Sequence, residues 1–180
     1  APPAAPPPKD IIYGQQVSPE FKAKILQIAQ DLGVDPDYLM AVMAFESGLN
    51  PSAQNRFSCA TGLIQFMRST AKNLGTSIEE LRNMTAEEQL DYVQEYFAPY
   101  KDKLKTLEDT YMAVLYPAGI GQPNDYVLFE KRPETEKGTK KYKQYEQNAG
   151  LDSNHDGQIT KAEAAAKVKE RLERGEKSRG

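Results

Sequence analysis

Residues 35–48 read DPDYLMAVMAFESG, and this stretch carries most of the information about the fold. Asp35 is a favourable helix N-cap and Pro36 suits the first helical position, whereas Ser47 and Gly48 are residues at which a helix ends. The residues between them are almost all apolar, so they cannot all face water. The stretch therefore predicts a buried helix, in what we expect to be a mainly α-helical protein.

Glu46 is an isolated carboxyl at the C-terminal end of this helix, and the next acidic residue along the chain is Glu79. Desolvation and the negative end of the helix dipole both disfavour the charged carboxylate, which predicts a raised pKa for Glu46. A carboxyl that holds its proton near neutral pH can serve as a general acid. The alternative is a helix-end glutamate that lies in water.

Three short segments follow in order: SGLNPSAQN at 47–55, TGLIQFM at 61–67 and LYPAGIG at 115–121. The first two are rich in neutral hydrogen-bonding groups, which suit the hydroxyl and acetamide groups of uncharged sugars. With Glu46, the three segments resemble the soluble-type lytic transglycosylases, relatives of goose-type lysozyme that cut peptidoglycan. This resemblance extends over about residues 36–121.

The resemblance implies a lysozyme-like helical domain with a sugar-binding groove. It makes Glu46 the catalytic acid and then base, and it makes Ser47, Gln65 and Met67 substrate-groove residues. It also implies that Tyr116 contacts the substrate near the scissile bond.

Three positions depart from the family pattern. Pro117 stands where the family usually has asparagine, so one polar contact is expected to be missing. Arg68 stands where a proline is common, which alters a helix start. Cys59 stands where glycine is frequent, so we expect a thiol to narrow a turn or the groove wall.

Glycosidases generally need two carboxyl groups, one for the leaving oxygen and one for a nucleophile or a water. Residues 47–78 contain no acidic residue, so a partner would have to come from Glu79, Glu80, Glu108 or Asp109. All four are expected to lie on solvated helix faces. Glu46 is then expected to act without a second carboxyl.

The resemblance implies cleavage between N-acetylmuramic acid and N-acetylglucosamine that leaves an anhydro-muramic end and needs no catalytic cofactor. Two alternatives stay open from the sequence. A lysozyme-type hydrolase would share Glu46 and release a reducing sugar. A non-catalytic wall-binding or structural module would not need Glu46.

Residues 152–163, DSNHDGQITKAE, fit the twelve-residue calcium loop of an EF-hand. Gly157 takes the position of the sharp turn. The expected oxygen ligands come from Asp152, Asn154, Asp156, the backbone carbonyl of Gln158, and Glu163, with a water at Thr160. No second loop of this kind is present in the sequence, so we expect a structural Ca²⁺ rather than a sensor.

Composition limits the remaining possibilities. The chain has 180 residues, 39% of them hydrophobic, and a net charge of −3 without a dominant basic stripe. These values favour a soluble monomer and argue against nucleic acid and against a membrane span. The resemblance implies that its partner is the peptidoglycan glycan strand. The only cysteine, Cys59, allows no internal disulfide. We expect action in the periplasm or cell envelope, with phage or phage-like delivery favoured because no secretory signal pattern is present.

The predicted organisation has three parts: a proline-rich tail or linker at 1–17, a lysozyme-like domain at 18–122, and an extension at 123–180 that contains the calcium loop. Within the domain, Ser18, Thr85 and Thr106 predict helix starts by capping. Residues 126–129 predict a short strand.

Overall fold

The computed structural model describes residues 9–131 and 140–180 of the chain, and the described part is mostly helical. Short 3₁₀ turns connect several of the elements. The α-helices are α1 (Pro19–Leu32), α2 (Pro36–Ser47), α3 (Arg68–Asn73), α4 (Ile78–Arg82), α5 (Ala86–Phe97), α6 (Leu107–Leu115), α7 (Lys140–Gln147) and α8 (Lys161–Gly175). The strands are β1 (Val127–Glu130) and β2 (Gln158–Thr160). The predicted mainly helical fold is confirmed.

Helix α2 is buried, as its apolar composition predicts, and it forms the centre of the molecule. Asp35 caps it by accepting a hydrogen bond from the backbone N–H of Asp37, and Gly48 ends it in the left-handed conformation with φ of 64°. Every residue from Leu39 to Ala44 is at most 2% exposed. Helices α1, α6 and α8 surround α2, so the core encloses it.

The other predicted helix starts are also confirmed. Ser18, Thr85 and Thr106 each accept a hydrogen bond from a backbone N–H in the first turn of α1, α5 and α6. Each of these side chains satisfies one of the backbone donors that a helix start leaves free. These starts depend only on local residue types, which is why the sequence predicts them.

The predicted tail at 1–17 is wrong for the residues nearest the domain. Ile11, Ile12 and Tyr13 are buried in the core. The backbones of Ile11 and Gly180 exchange two hydrogen bonds of 2.9 and 3.1 Å. The proline-rich residues 1–8, which we expected to form the tail, lie outside the described residues.

The predicted extension at 123–180 does not form a separate unit. Helix α8 packs directly against α2 and α6. Near the chain end, Arg179 forms an ion pair of 2.7 Å with Asp37 in the first turn of α2. The described part of 123–180 therefore completes the core that the preceding segments begin.

The two strands form a small antiparallel sheet, and the strand predicted at 126–129 is confirmed as β1. Phe129 pairs with Ile159 and Glu130 with Gln158. Strand β2 lies inside the predicted calcium loop, so this sheet joins that loop to the segment that follows α6. In residues 9–131 and 140–180, no helix is long and apolar enough to cross a membrane.

Candidate functional site

Glu46 is the penultimate residue of α2 and lies at a cavity of about 340 Å³. The helix stops beside the cavity because Gly48 and Leu49 both adopt positive φ and donate backbone hydrogen bonds to Ala44 and Met43. The remaining lining is neutral and comes from three segments of the chain: Asn55, Ala60, Ile64, Gln65, Met67, Val114 and Leu115. Among the described residues, Glu46 is the only acidic group that lines this cavity.

Burial raises the pKa of the Glu46 carboxyl to about 7. Its side chain keeps part of its surface open to the cavity and is otherwise enclosed by protein. No hydrogen-bond donor from the described residues reaches the carboxyl, so nothing offsets the cost of removing its charge from water. The direction of this shift agrees with the sequence prediction.

Gln65 and Met67 lie at the cavity with Glu46, where they were expected. Gln65 adopts φ of 57° and its Nε2 donates to the carbonyls of Ala53 and Gly62 at 3.1 and 3.0 Å. These bonds fix the loop that forms one side of the cavity. Met67 is 47% exposed and presents an apolar surface to solvent at the same edge.

Ser47 lies close to two backbone carbonyls, and its role as a substrate-groove residue stays a prediction. Its Oγ lies 3.0 Å from the carbonyl oxygen of Met43 and 2.9 Å from that of Leu63, and it is not among the residues that line the cavity. The hydroxyl therefore connects the end of α2 to the loop at 61–67. This places Ser47 as a support for that loop.

Tyr116 is also placed away from the cavity lining. Its ring packs edge-on against Phe129, with the ring centroids 5.4 Å apart. Its neighbours Val114 and Leu115 form the cavity wall instead. The segment at 115–121 therefore reaches the cavity through Leu115, at the end of α6. The apolar side chains of Val114 and Leu115, and not the ring of Tyr116, line the cavity with Glu46.

Tyr96 and Tyr111, for which the sequence favours core packing over a role as sugar platforms, lie near Glu46. Burial raises the pKa of Tyr111, and it raises that of Tyr96 to about 12; the negative charge of Glu46 contributes in both cases. Tyr111 stacks edge-on against Phe45 at 5.7 Å, and the Tyr96 hydroxyl donates to the carbonyl of Ala113 at 2.7 Å. Both phenols stay neutral beside the carboxyl. Their helical spacing predicted burial, and no local signal indicated that they lie beside Glu46.

Sequence reasoning missed Gln89, which supports the cavity loop from below. This side chain is fully buried in α5, where its Oε1 accepts from the N–H of Leu63 at 2.6 Å. Its Nε2 donates to the carbonyls of Pro51 and Leu81 at 3.0 and 2.9 Å. The available signal in the sequence was that Gln89 is a polar residue on the inward face of a predicted amphipathic helix.

None of the four candidate partner carboxylates lines the cavity. Glu79 and Glu80 are exposed, as expected, and Glu79 pairs with Arg68 at 3.1 Å. Glu108 is half-buried and acts electrostatically on Tyr38. The expectation of a solvated Asp109 is wrong, because Asp109 is 6% exposed and forms a buried ion pair with Lys161.

The unusual Cys59 has a clear structural consequence. It adopts φ of 62°, in the left-handed region where a side chain is unfavourable and glycine is favoured. Its N–H donates to the carbonyl of Asn55 at 2.9 Å, which closes the turn beside the cavity. Pro117 is exposed in a 3₁₀ turn and Arg68 begins α3.

The predicted calcium loop brings three carboxylates together. One oxygen from each of Asp152, Asp156 and Glu163 lies within 4.8 Å of the others. Gly157 adopts φ of 81°, as the sharp turn requires. The carboxylate of Glu163 accepts hydrogen bonds from Ser153 and Thr160 at 3.0 to 3.3 Å, so it closes the loop.

Asp152 is the most informative member of the loop. Its Oδ2 accepts from the Tyr145 hydroxyl at 2.6 Å and from the N–H of Gly157 at 3.0 Å, and the first of these bonds is the main cause of its lowered pKa. Its Oδ1 is buried and has no hydrogen-bond partner. A buried carboxylate oxygen without a donor fits a site for a hard cation. Asn154 and the Gln158 backbone lie in the same loop, as predicted.

A second cavity of about 340 Å³ lies between the turn at 14–16 and α1. Its lining is mostly apolar, Lys22 is the charged side chain, and no Asp or Glu side chain is part of it. It therefore lacks an acidic side chain that could act on a glycosidic bond. Glu46 distinguishes the first cavity as the candidate active site.

Comparison with known protein families adds one finding. A family model described as the transglycosylase SLT domain matches residues 24–139, which include the whole cavity lining. Among curated proteins, no sequence matches this chain.

Proposed function

This chain belongs to the transglycosylase SLT domain family, and we propose that Glu46 alone serves as acid and base in cutting the glycan strand. The family indicates lytic-transglycosylase-type cleavage of peptidoglycan in general. The observation that carries the finer proposal is the single carboxyl, with a pKa raised to about 7, in an otherwise neutral cavity. Since the substrate is the cell wall, the proposed site of action is the periplasm or cell envelope.

The proposed reaction uses the Glu46 carboxyl twice, first as an acid and then as a base. The carboxylic acid protonates the glycosidic oxygen between N-acetylmuramic acid and N-acetylglucosamine as the bond to C1 breaks. The carboxylate then takes the proton of the C6 hydroxyl of the muramic residue as this oxygen attacks C1. A 1,6-anhydro ring closes and Glu46 is again protonated. The reaction consumes no water.

The absence of a second carboxyl from the described lining supports ring closure over hydrolysis. A hydrolase of either stereochemistry generally uses a second carboxylate to activate water or to act as nucleophile. Here Asp109 is bound to Lys161, and Glu79 to Arg68. An internal hydroxyl needs no such activation beyond Glu46, because the substrate itself holds it near C1.

Neutral and apolar groups form the proposed binding surface. Gln65 offers an amide fixed by two backbone contacts, and Met67 and Leu115 provide apolar surface in the same cavity as Glu46. We propose that Ser47 and Tyr116 act by holding the loop and the end of α6. This arrangement suits sugar rings, which combine hydroxyl groups with apolar faces.

Mass spectrometry of the products tests the proposal directly. Digested peptidoglycan is expected to yield muropeptides with 1,6-anhydro-muramic ends, which are lighter than reducing ends by one water. Reducing ends would instead identify a lysozyme-type hydrolase. Release of no fragments from any wall preparation would favour a non-catalytic binding module.

Substitution of Glu46 tests its role. Glu46→Gln keeps the size of the side chain but cannot transfer a proton, so turnover is expected to fall at least about 1000-fold. Glu79→Gln is the matched control, because Glu79 is exposed and outside the cavity. Glu79→Gln should keep wild-type turnover, and an active Glu46→Gln enzyme would disprove the mechanism.

We also propose that residues 152–163 bind a structural Ca²⁺ through Asp152, Asn154, Asp156, the carbonyl of Gln158, and Glu163. The buried, partnerless Oδ1 of Asp152 and the close approach of three carboxylates support this proposal. Pairing of β2 with β1 gives the single loop the strand partner that a second calcium loop would otherwise supply. The ion would stabilise the fold, and the catalytic step does not involve it.

A further inference from the structure

Lys161 lies at the tenth position of the calcium loop, yet its ammonium group points away from the carboxylate cluster and into the core. Its side chain is 2% exposed. The Nζ donates to Asp109 Oδ1, and it donates to the carbonyl of Gln122 at 2.7 Å. A buried ammonium group is unfavourable unless it is paired with an opposite charge and hydrogen-bonded to acceptors.

The contacts of Asp109 close this arrangement into a network. Asp109 lies in the first turn of α6, and its Oδ1 also accepts from the N–H of Gly121 at 2.9 Å. One carboxylate and one ammonium therefore bind two adjacent backbone groups, at Gly121 and Gln122. The network holds the segment at 116–122 against the helix from which it emerges.

The backbone of α8 reinforces the same contact. The N–H of Lys161 donates to the carbonyl of Tyr126, and that of Ala162 to the carbonyl of Asn124, both at 2.9 Å. Within the segment, a methyl group placed on Gly119 would lie 2.6 Å from the sulfur of Met112. The segment is thus closely packed against α6 on one side and bonded to α8 on the other.

The held segment begins where the cavity wall ends. Val114 and Leu115 line the cavity with Glu46, and Tyr116 packs on Phe129 of β1. If the segment at 116–122 shifted, the last turn of α6 and both wall residues would shift with it. We propose that Lys161 is a positioning residue that fixes the Val114–Leu115 wall for binding of the glycan strand, an inference that rests on the proposed function.

Lys24 provides a control with the same kinds of partner in a more exposed place, since its side chain is 32% exposed. Its ammonium also binds one carboxylate and one carbonyl, those of Asp91 at 2.9 Å and Glu87 at 2.6 Å. This pair joins α1 to α5 and includes no residue of the cavity lining. Lys24→Met should therefore reduce stability without moving the wall.

The test compares Lys161→Met, Lys161→Arg and Lys24→Met on soluble, uncrosslinked glycan strands, below the melting temperature of each variant. Lys161→Met is expected to raise KM at least tenfold with a smaller change in kcat, because the wall binds sugar while Glu46 is untouched. Lys161→Arg keeps the charge and should recover part of the loss. Lys24→Met should leave KM within twofold of the wild type.

Equal KM values for Lys161→Met and the wild type, with only a lower melting temperature, would overturn the positioning role. If Lys161→Met does not fold, Asp109→Asn removes the charge with little change of shape, and the same KM criterion applies. Glycan affinity measured in the Glu46→Gln background separates the two proposals. An inactive wild-type enzyme would refute the proposed function, whereas unchanged affinity on adding Lys161→Met would refute the role of Lys161.

Discussion

Glu46 and Asp152 are carboxyl groups that the protein withdraws from water, and their pKa values move in opposite directions. Burial raises that of Glu46 to about 7, whereas hydrogen bonds from Tyr145 and the backbone lower that of Asp152. The difference lies in the donors, since no donor from the described residues reaches Glu46. Burial without donors produces a proton carrier, and burial with donors produces a permanent anion.

The surroundings of the two sites agree with these roles. Glu46 faces a neutral cavity and has no acidic neighbour in the described lining. Asp152 lies with Asp156 and Glu163, and their mutual repulsion makes a cation the natural partner. One site is suited to moving a proton and the other to holding an ion.

The largest expected effect concerns the pH dependence of activity. The proposed mechanism begins with protonated Glu46, so kcat/KM should fall about tenfold per pH unit above about pH 7 and about 100-fold by pH 9. Initial rates on glycan strands measure this fall, and circular dichroism at each pH shows that the fold persists. Constant activity up to pH 9 would mean that the Glu46 proton is not required.

The next effect concerns the cation. Adding Ca²⁺ at about 100 times its dissociation constant should raise the melting temperature by about 5 °C or more. Asp152→Asn removes the negative charge of the carboxylate whose Oδ1 has no hydrogen-bond partner. This substitution should abolish most of the increase in melting temperature. Glu170→Gln, which removes an exposed carboxylate of α8 outside the loop at 152–163, is the control.

If the wild type melts at the same temperature in Ca²⁺ and in chelator, the structural-ion proposal fails. A response to Mg²⁺ equal to that for Ca²⁺ would indicate a less selective site for divalent cations. Neither result would affect the proposed role of Glu46, because the two sites share no residue.

A smaller effect links Glu46 to stability. Its pKa is raised on folding from 4.5 to about 7, so the folded state retains a proton that the unfolded chain releases. The free energy of unfolding should therefore fall as pH rises from about 4.5 to about 7, by roughly 1–3 kcal/mol after allowance for the open side of the cavity. Glu46→Gln should be more stable than the wild type at pH 8, and the difference should disappear near pH 4.5. Urea unfolding of both proteins at pH 8 and at pH 4.5 measures this difference in the free energy of unfolding. If the difference were equal at the two pH values, the pH dependence of stability would not come from the Glu46 carboxyl.

The smallest effect compares the turns of the two sites. The loop at 152–163 has Gly157 at its left-handed turn, whereas the turn beside the cavity has Cys59 at φ of 62°. Cys59→Gly should increase the free energy of unfolding by about 1 kcal/mol through relief of backbone strain. Cys59→Ala keeps the Cβ and should not, and equal stabilities of the two variants in urea would contradict this explanation.

Predictions from local residue patterns were the most accurate. The helix caps at Ser18, Asp35, Thr85 and Thr106 are confirmed because a cap involves residues only two or three positions apart. Contacts between distant segments were missed for the opposite reason. No local pattern shows that Asp109 will meet Lys161, or that Gln89 will support the loop at 61–67.

The sequence by itself determined the buried helix α2, the isolation of Glu46 at its end, and the order of ligand types in the loop at 152–163, because each depends on neighbours in the chain. Tertiary structure decided which residues surround Glu46. It placed Val114 and Leu115 at the cavity, placed Ser47 and Tyr116 outside its lining, and made the described part of 123–180 a portion of the core. The physical reason is that burial, and with it the direction of a pKa shift, depends on which distant segments pack together.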